Sequence, residues 1–179
     1  WTSIPVIPDA TTKLLYHLDN DSEFGENNSF VYDYSGNGRN GTAFNGAAVN
    51  ISGGKFGGGF QFDGIDDMIN HNTNLGISNY PFTISAWINY SGGGVETDGV
   101  VPVAELYQFG TTSFYGIGVN KSGRGLLYVR NSAAPGIVVN GSSDLKNGFH
   151  HIAGVFVNST KRELYIDGQK VGENLQLKT

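Results

Sequence analysis

The sequence contains no cysteine, a single methionine and few charged residues, which make up 15% of its 179 positions. Without cysteine there is no disulfide framework and no thiolate chemistry, although this absence does not indicate a compartment. No apolar run approaches the ~20 residues needed to span a bilayer, and no window carries the helical period. A disulfide-stapled scaffold, a coiled coil and an inserted membrane helix are therefore excluded.

Basic residues are also scarce. The chain has 11 Lys and Arg against 16 Asp and Glu, which gives a formal net charge of −5 at pH 7. Nucleic acids and anionic membranes are recognised by basic residues gathered on one face, and the basic residues here are scattered. We therefore expect neither of these partners.

Glycine and aromatic residues are abundant instead. The 27 glycines are about twice the usual share of ~7%, and 39% of the residues are hydrophobic, with 11 Phe and 9 Tyr among them. Short apolar stretches between Gly-, Asn- and Ser-rich turns are typical of antiparallel β-proteins. The sequence predicts an all-β, antiparallel two-sheet sandwich or jelly roll with almost no helix.

The clearest predicted strand covers residues 82–89, where apolar and polar side chains alternate with period two. One face consists of Phe82, Ile84, Ala86 and Ile88, and the other of Thr83, Ser85, Trp87 and Asn89. Further strands are predicted at 13–18, 60–62, from Met68, and at 100–106, 113–119, 125–129, 136–139, 150–157 and 162–166. Residues 24–50 are dominated by turn signals and are expected to form an ordered but irregular loop.

The first ten residues predict an extended arm or linker that precedes a single domain at 11–179. Pro5 and Pro8 fix a non-helical backbone and bias Ile4 and Ile7 toward extended conformations. The chain opens at Trp1 rather than at a methionine, as expected of a processed mature form or of a piece of a longer protein.

Eight Asn-X-Ser/Thr sequons occur where composition alone predicts about 2.5 by chance. They begin at Asn20, Asn27, Asn40, Asn50, Asn89, Asn120, Asn140 and Asn158. The excess predicts an N-glycosylated protein that is extracellular or on the cell surface. The alternative interpretation is that Asn, Ser, Thr and Gly simply fill β-turns.

Five blocks occur in this order along the chain: YSGNGRNGT at 34–42, FGGGFQFDGIDD at 56–67, FTISAWI at 82–88, FHHIAGV at 149–155 and LYIDG at 164–168. Together they resemble the laminin-G-like jelly-roll domains of the concanavalin A-like lectin/glucanase superfamily. The resemblance implies a two-sheet jelly roll and a mostly non-catalytic module that binds glycans or proteins. Family members usually continue past the LYIDG strand to a closing strand, and this chain ends about ten residues later. An open sheet edge is therefore expected.

The resemblance also implies a structural calcium ion, because many members carry one. Calcium takes six to eight oxygen ligands. Asp33 and Asn37 in the glycine-rich loop, with Asp63, Asp66 and Asp67 after the predicted corner, offer such oxygens. The alternative interpretation is that Asp33 and Asn37 cap turns while Asp66 and Asp67 are simply solvated.

Catalysis is not expected. The Glu-X-Asp-X-Glu strand pattern of several glucanases in the superfamily is absent, and Glu163 and Asp167 do not replace it because Asp167 belongs to an Asp-Gly turn. The adjacent His150 and His151 point to opposite faces of a strand and do not form a zinc site together. No catalytic residue is assigned.

Glycan recognition calls for exposed aromatic rings beside polar groups. Candidate ligand-binding residues in or near loops are Tyr80, Tyr90, Tyr107, Phe109 and Tyr115. The alternative for each is ordinary packing at a sheet edge, since scattered surface aromatics are common.

Two functional hypotheses follow. The first is an extracellular binding or adhesion module of lectin-like type, whose partner is a glycan or a surface protein. The second is a glycosylated structural subunit of a filament or assembly that self-associates by strand donation at the open edge. In the second hypothesis the open edge is filled by the N-terminal arm of this chain, by the arm of a neighbour, or by residues of a longer parent beyond Thr179. The arm would place Ile4 and Val6 in vacant core positions.

Overall fold

The computed structural model describes the chain at residues 6–94, 99–107, 113–131 and 134–175. The chain divides into two compact units, Trp1–Gly76 (unit 1) and Ile77–Thr179 (unit 2). The described residues contain thirteen strands and a single turn of 3-10 helix at Ser22–Phe24. The all-β prediction is confirmed.

Unit 1 contains a three-stranded sheet and a separate hairpin. Its strands are β1 (Phe30–Val31), β2 (Gly41–Phe44), β3 (Ala48–Gly54), β4 (Gly57–Gln61) and β5 (Met68–Asn70). The sheet has the antiparallel order β1-β2-β5, and β3 pairs with β4. The two strands on either side of the Asp63-Gly64 turn therefore belong to different sheets.

Two sequence predictions in unit 1 are wrong. Residues 13–18 form no strand: Leu15 makes only isolated backbone bonds, to Tyr34 and to the Asp33 carboxylate, so no ladder develops there. The region 24–50 is not a continuous irregular loop, because β1, β2 and the start of β3 lie within it. These strands are short and lie among turn residues, so no alternation of apolar and polar side chains is visible in the sequence.

Unit 2 is a β-sandwich of two four-stranded antiparallel sheets. Its strands are β6 (Phe82–Asn89), β7 (Val101–Tyr107), β8 (Ser113–Val119), β9 (Arg124–Asn131), β10 (Ala134–Asp144), β11 (Phe149–Phe156), β12 (Arg162–Ile166) and β13 (Gln169–Asn174). One sheet has the order β10-β9-β8-β7 and the other β13-β12-β11-β6. Most strands predicted downstream of residue 80 are confirmed to within two residues, and β10 is longer than expected.

The core of unit 2 lies between these two sheets. Ile117 and Leu127 from one sheet pack with Ile152, Phe156 and Leu164 from the other, all fully buried. The two sheets approach closely at Gly154 in β11. A Cβ atom there would lie 2.7 Å from a Leu127 methyl carbon and 2.9 Å from an Ile117 methyl carbon, so glycine is what permits this spacing.

Strand β6 confirms the predicted alternation. Its apolar face, which begins at Phe82, is half-buried against the core, and its polar face is exposed. Eight consecutive residues of β6 pair with β11, from Phe82 opposite Phe156 to Asn89 opposite Phe149. The described residues place no other strand beside β6, so it forms an edge of its sheet.

The described part of the N-terminal arm, from Val6 onward, does not fill the core of its own chain. Val6 is 67% exposed and lies in no strand, and Ile7 is also exposed, so the predicted core position of Val6 is wrong within this chain. The physical reason is the neighbouring Pro8, which has no N–H to offer a ladder. Ile4 and Pro5 lie outside the described residues.

The described residues include no helix that is long and apolar enough to cross a membrane.

Candidate functional site

A small pocket opens in unit 2 where the chain enters β6. It is lined by Ile77, Ser78, Asn79, Tyr80, Phe82, Leu106 and Tyr115. Its cavity volume is about 30 Å3, enough for one or two groups of the size of a water molecule, whereas sites for drug-sized ligands usually span ~300–1,000 Å3. The pocket is therefore a shallow hollow that can take a hydroxyl group of a ligand and cannot enclose a sugar ring.

Two of the tyrosines predicted to bind ligand meet in this pocket. The hydroxyl oxygens of Tyr80 and Tyr115 lie 3.2 Å apart. Phe82 stacks on Tyr80 with ring centroids 5.6 Å apart and meets Tyr115 edge-on at 5.3 Å, which fixes both rings. Burial raises the pKa of Tyr115, and its hydrogen bond with Tyr80 raises it further, so the Tyr115 hydroxyl keeps its proton at neutral pH.

The other aromatic candidates lie outside the pocket lining. Tyr90 donates its hydroxyl to the Gly93 carbonyl at 2.6 Å and so ties the turn after β6. Tyr107 is exposed at the end of β7 and packs on Phe114 with centroids 5.0 Å apart. Phe109 lies outside the described residues.

Sequence analysis missed the polar side of the pocket. Ser78 and Asn79 supply a hydroxyl and an amide, and their place directly before Tyr80 was the available signal. Leu106 reaches the pocket because β7 pairs with β8 in the register that sets Leu106 opposite Tyr115. No local pattern in the sequence reveals that register.

Three of the five predicted calcium ligands come together in unit 1. Oxygen atoms of Asp63, Asp66 and Asp67 all lie within 4.8 Å of one another. The turn is held by Asp63, whose Oδ1 accepts the Ile65 N–H at 2.7 Å, and by Asp67, whose Oδ2 accepts the Asp63 N–H at 2.7 Å. The other carboxylate oxygen of Asp67, Oδ1, is buried and has no hydrogen-bond partner among the described residues.

The other two predicted ligands have a different role. Asp33 is 1% exposed, and its two oxygens accept four hydrogen bonds, from Leu15 N, Ser35 N, Ser35 Oγ and Arg39 N at 2.8–3.1 Å. Asn37 donates its amide to the Thr12 and Lys13 carbonyls. A carboxylate has about four lone-pair sites, so these four hydrogen bonds occupy all the acceptor sites of Asp33. Asp33 therefore organises this loop.

The carboxylates Glu163 and Asp167 do not form an acid–base pair. Hydrogen bonds from Lys161 and Tyr165 lower the pKa of Glu163 to about 2, which leaves it no proton to donate near neutral pH. Asp167 accepts a bond from His150 at 2.7 Å and another from the His151 N–H at 2.8 Å. Both carboxylates therefore have structural partners.

Seven of the eight sequon asparagines fall into two groups, and the eighth, Asn20, has a left-handed backbone with φ 63°. Five accept backbone N–H bonds through their side-chain oxygens: Asn27, Asn40, Asn50, Asn120 and Asn158. Such bonds explain asparagine in turns independently of any glycan. Asn89 and Asn140 instead lie exposed on strands β6 and β10.

The architecture of unit 2, two antiparallel sheets packed face to face, defines the protein as a β-sandwich of jelly-roll type. A laminin G family model, described as the concanavalin A-like lectin/glucanases superfamily, matches residues 62–178, which is more than half of the chain. The chain belongs to this superfamily. Laminin-G-like domains are generally non-catalytic, typically extracellular modules that bind carbohydrate or protein. Searches of curated proteins and of solved structures gave no match.

Asp33→Ala should lower the free energy of unfolding by about 2–4 kcal/mol, because it leaves buried N–H groups without an acceptor. Burial alone would raise the pKa of Asp33, but the hydrogen bonds from Ser35, Arg39 and Leu15 outweigh it and lower the pKa. The stability that Asp33 contributes is therefore present above the unfolded pKa of ~3.9 and is lost as the pH falls through the lower folded pKa.

Urea unfolding measured between pH 2 and pH 7 tests this expectation. The variant should be less stable at pH 7 and should lose less stability on acidification than the wild type. Equal stability of the two proteins at pH 7 would contradict the organising role of Asp33.

Proposed function

We propose that this chain is an extracellular, non-catalytic module that binds glycans and that the pocket beside Tyr80 and Tyr115 receives a hydroxyl group of one sugar unit. The observation that carries the proposal is the hydroxyl pair at 3.2 Å in a lining that combines aromatic and aliphatic side chains with the polar groups of Ser78 and Asn79. Sugars present hydroxyl groups around an apolar ring face. A wall of this composition complements both features.

The lining of the pocket favours a neutral ligand. Its described residues include no Asp, Glu, Lys or Arg. The polar atoms belong to Ser78, Asn79 and the two tyrosines, which donate and accept hydrogen bonds without a net charge. Glycoside hydrolysis needs two carboxyl groups across the bond to be cleaved, and this lining supplies none. The proposal is therefore binding rather than turnover.

Tyr80→Phe removes one hydroxyl and keeps the ring that stacks on Phe82. Losing a single hydrogen bond costs about 1 kcal/mol, so the affinity for a neutral oligosaccharide should fall roughly five-fold. The ligand is first selected on an array of neutral and acidic glycans, and its affinity is then measured by isothermal titration calorimetry.

Tyr107→Phe is the matched control, because Tyr107 carries the same hydroxyl outside the pocket. It should bind like the wild type. If the two variants bind alike, the pocket is not the site. If the wild-type chain binds no glycan on the array but captures a protein ligand, glycan recognition itself is wrong.

We also propose that Asp63, Asp66 and Asp67 hold a calcium ion. Their hard carboxylate oxygens suit the ion, and the buried, partnerless Asp67 Oδ1 is an atom that a cation would satisfy. Bound calcium would offset two of the three adjacent negative charges. The role is structural, because these residues belong to the turn between β4 and β5.

Calcium should raise the melting temperature of the wild type by several degrees when present at about 100 times its Kd. Asp66→Asn, which keeps the shape of the exposed side chain, should remove most of that rise. Glu23→Gln, a charge loss in the same unit but outside the cluster, should preserve it. Differential scanning calorimetry with and without a chelator measures the shift, and a wild type that does not respond contradicts the site.

A second candidate function is supported by the open edge of β6. The eight residues of this strand pair with β11 without a bulge and include no charged residue and no proline. Natural edge strands usually carry a bulge, a charged residue or a proline, because each of these blocks edge-to-edge pairing. The candidate is a structural subunit that accepts an extended strand at this edge.

Sedimentation velocity at increasing concentration tests the second candidate. The wild type should self-associate, and Ser85→Lys, which places a charge on the exposed face of the edge strand, should reduce association. Deleting residues 1–10 should do the same if the arm of a neighbour is the donor. A wild type that stays monomeric at high concentration contradicts the candidate.

A further inference from the structure

Trp87 lies on the outward face of β6 and is 44% exposed. The indole ring is flanked by His151 on the paired strand β11, with centroids 5.3 Å apart and planes inclined at 54°. Next along the strand, the pair Ser85–Ala153 carries small side chains. The exposed part of the indole is an aromatic surface on the outward face of β6.

The sequon asparagine Asn89 lies on the same face. In a strand, residues i and i+2 point to the same side of the sheet, about 6.8 Å apart, so Trp87 and Asn89 are neighbours at the end of β6. Asn89 is exposed, and Ser91 completes the sequon.

This arrangement is specific to one of the eight sequons. Of the residues two positions before each sequon asparagine, only Trp87 and Phe156 are aromatic. Phe156 is fully buried and points into the core, so it offers no surface to a sugar on Asn158. Asn89 alone follows an exposed aromatic residue on its own strand face.

We infer that Asn89 carries an N-linked glycan whose first pyranose packs on the Trp87 ring. In the modification, Asn89 Nδ2 loses a proton and forms a bond to the anomeric carbon of a lipid-pyrophosphate-linked oligosaccharide, while the bond from that carbon to the phosphate oxygen breaks and the lipid pyrophosphate leaves. The apolar C–H face of the sugar then covers exposed aromatic surface. The covalent link holds the ring at a high effective concentration.

The glycan would also protect the open edge. Asn89 is the last residue of β6, and a bulky, hydrated chain there hinders the approach of a second strand. The inference depends on export through a compartment that N-glycosylates proteins, and it does not depend on what the pocket binds.

The test compares the chain produced in a glycosylating eukaryotic secretion host with three variants. Ser91→Ala removes the sequon and keeps Asn89 and Trp87, Trp87→Val removes the aromatic face, and the third variant combines both. Ser142→Ala is the matched control, because it removes the sequon of Asn140, which is preceded two residues earlier by Val138. Peptide mass spectrometry gives the occupancy of Asn89, and calorimetry gives the melting temperature.

Asn89 should be occupied, and Ser91→Ala should lower the melting temperature by about 2–4 °C. In the Trp87→Val background the same change should shift it by less than half as much, and Ser142→Ala should leave it unchanged. Tryptophan emission should move to longer wavelength in Ser91→Ala, because the indole is then more exposed to water. In protein from a bacterial host without N-glycosylation, Ser91→Ala should have no effect.

Two results would overturn the inference. One is an unoccupied Asn89, including the case in which added oligosaccharides bind at Trp87 instead. The other is an equal shift from Ser91→Ala with and without Trp87. Neither result bears on the pocket, whose test is the Tyr80→Phe variant.

Discussion

The two sheets of unit 2 approach closely at Gly154, and the positions of the functional residues in this unit depend on that approach. Side-chain carbons of Leu127 and Ile117 occupy the space in which any Cβ would stand. Strand β11, which contains Gly154, is paired along eight residues with β6. Moving β11 outward would carry β6 with it and separate Phe82 from the core, because such interiors have few voids to absorb a shift.

Strand β6 connects the proposed ligand pocket with the proposed glycan at Asn89. Its inward face begins with Phe82, which fixes the two tyrosine hydroxyls of the pocket. Its outward face ends with Trp87 and Asn89, the proposed glycan attachment region. Because alternate residues point to opposite faces, one eight-residue strand contributes to the proposed ligand pocket on its inward face and to the proposed glycan attachment on its outward face.

The sequence predicts unit 2 better than unit 1 for a physical reason. Residues 82–89 form a long strand with one buried face, so the period-two pattern there is visible and confirmed. Strands β11 and β12 are predicted from apolar runs that end at turn residues, although burial does not alternate along β11. In unit 1 the strands span two to seven residues and are rich in glycine and asparagine, so β1 and β2 are hidden among turn signals. The candidate sites differ in how far apart their residues lie in the sequence. Asp63, Asp66 and Asp67 are close in sequence and do cluster. The pairing of Tyr80 with Tyr115 depends on long-range strand register and is not visible in the sequence. The saturation of Asp33 depends on backbone donors that no side-chain pattern reveals.

The most direct measurement is the unfolding free energy of Gly154→Val, compared with Ser85→Val on the exposed face of the same sheet. Forcing methyl groups into a packed interior costs about 1–3 kcal/mol. Gly154→Val should therefore lose at least that much stability in urea, while Ser85→Val should stay within about 0.5 kcal/mol of the wild type. Equal stability of the two variants would contradict the close approach of the sheets at Gly154.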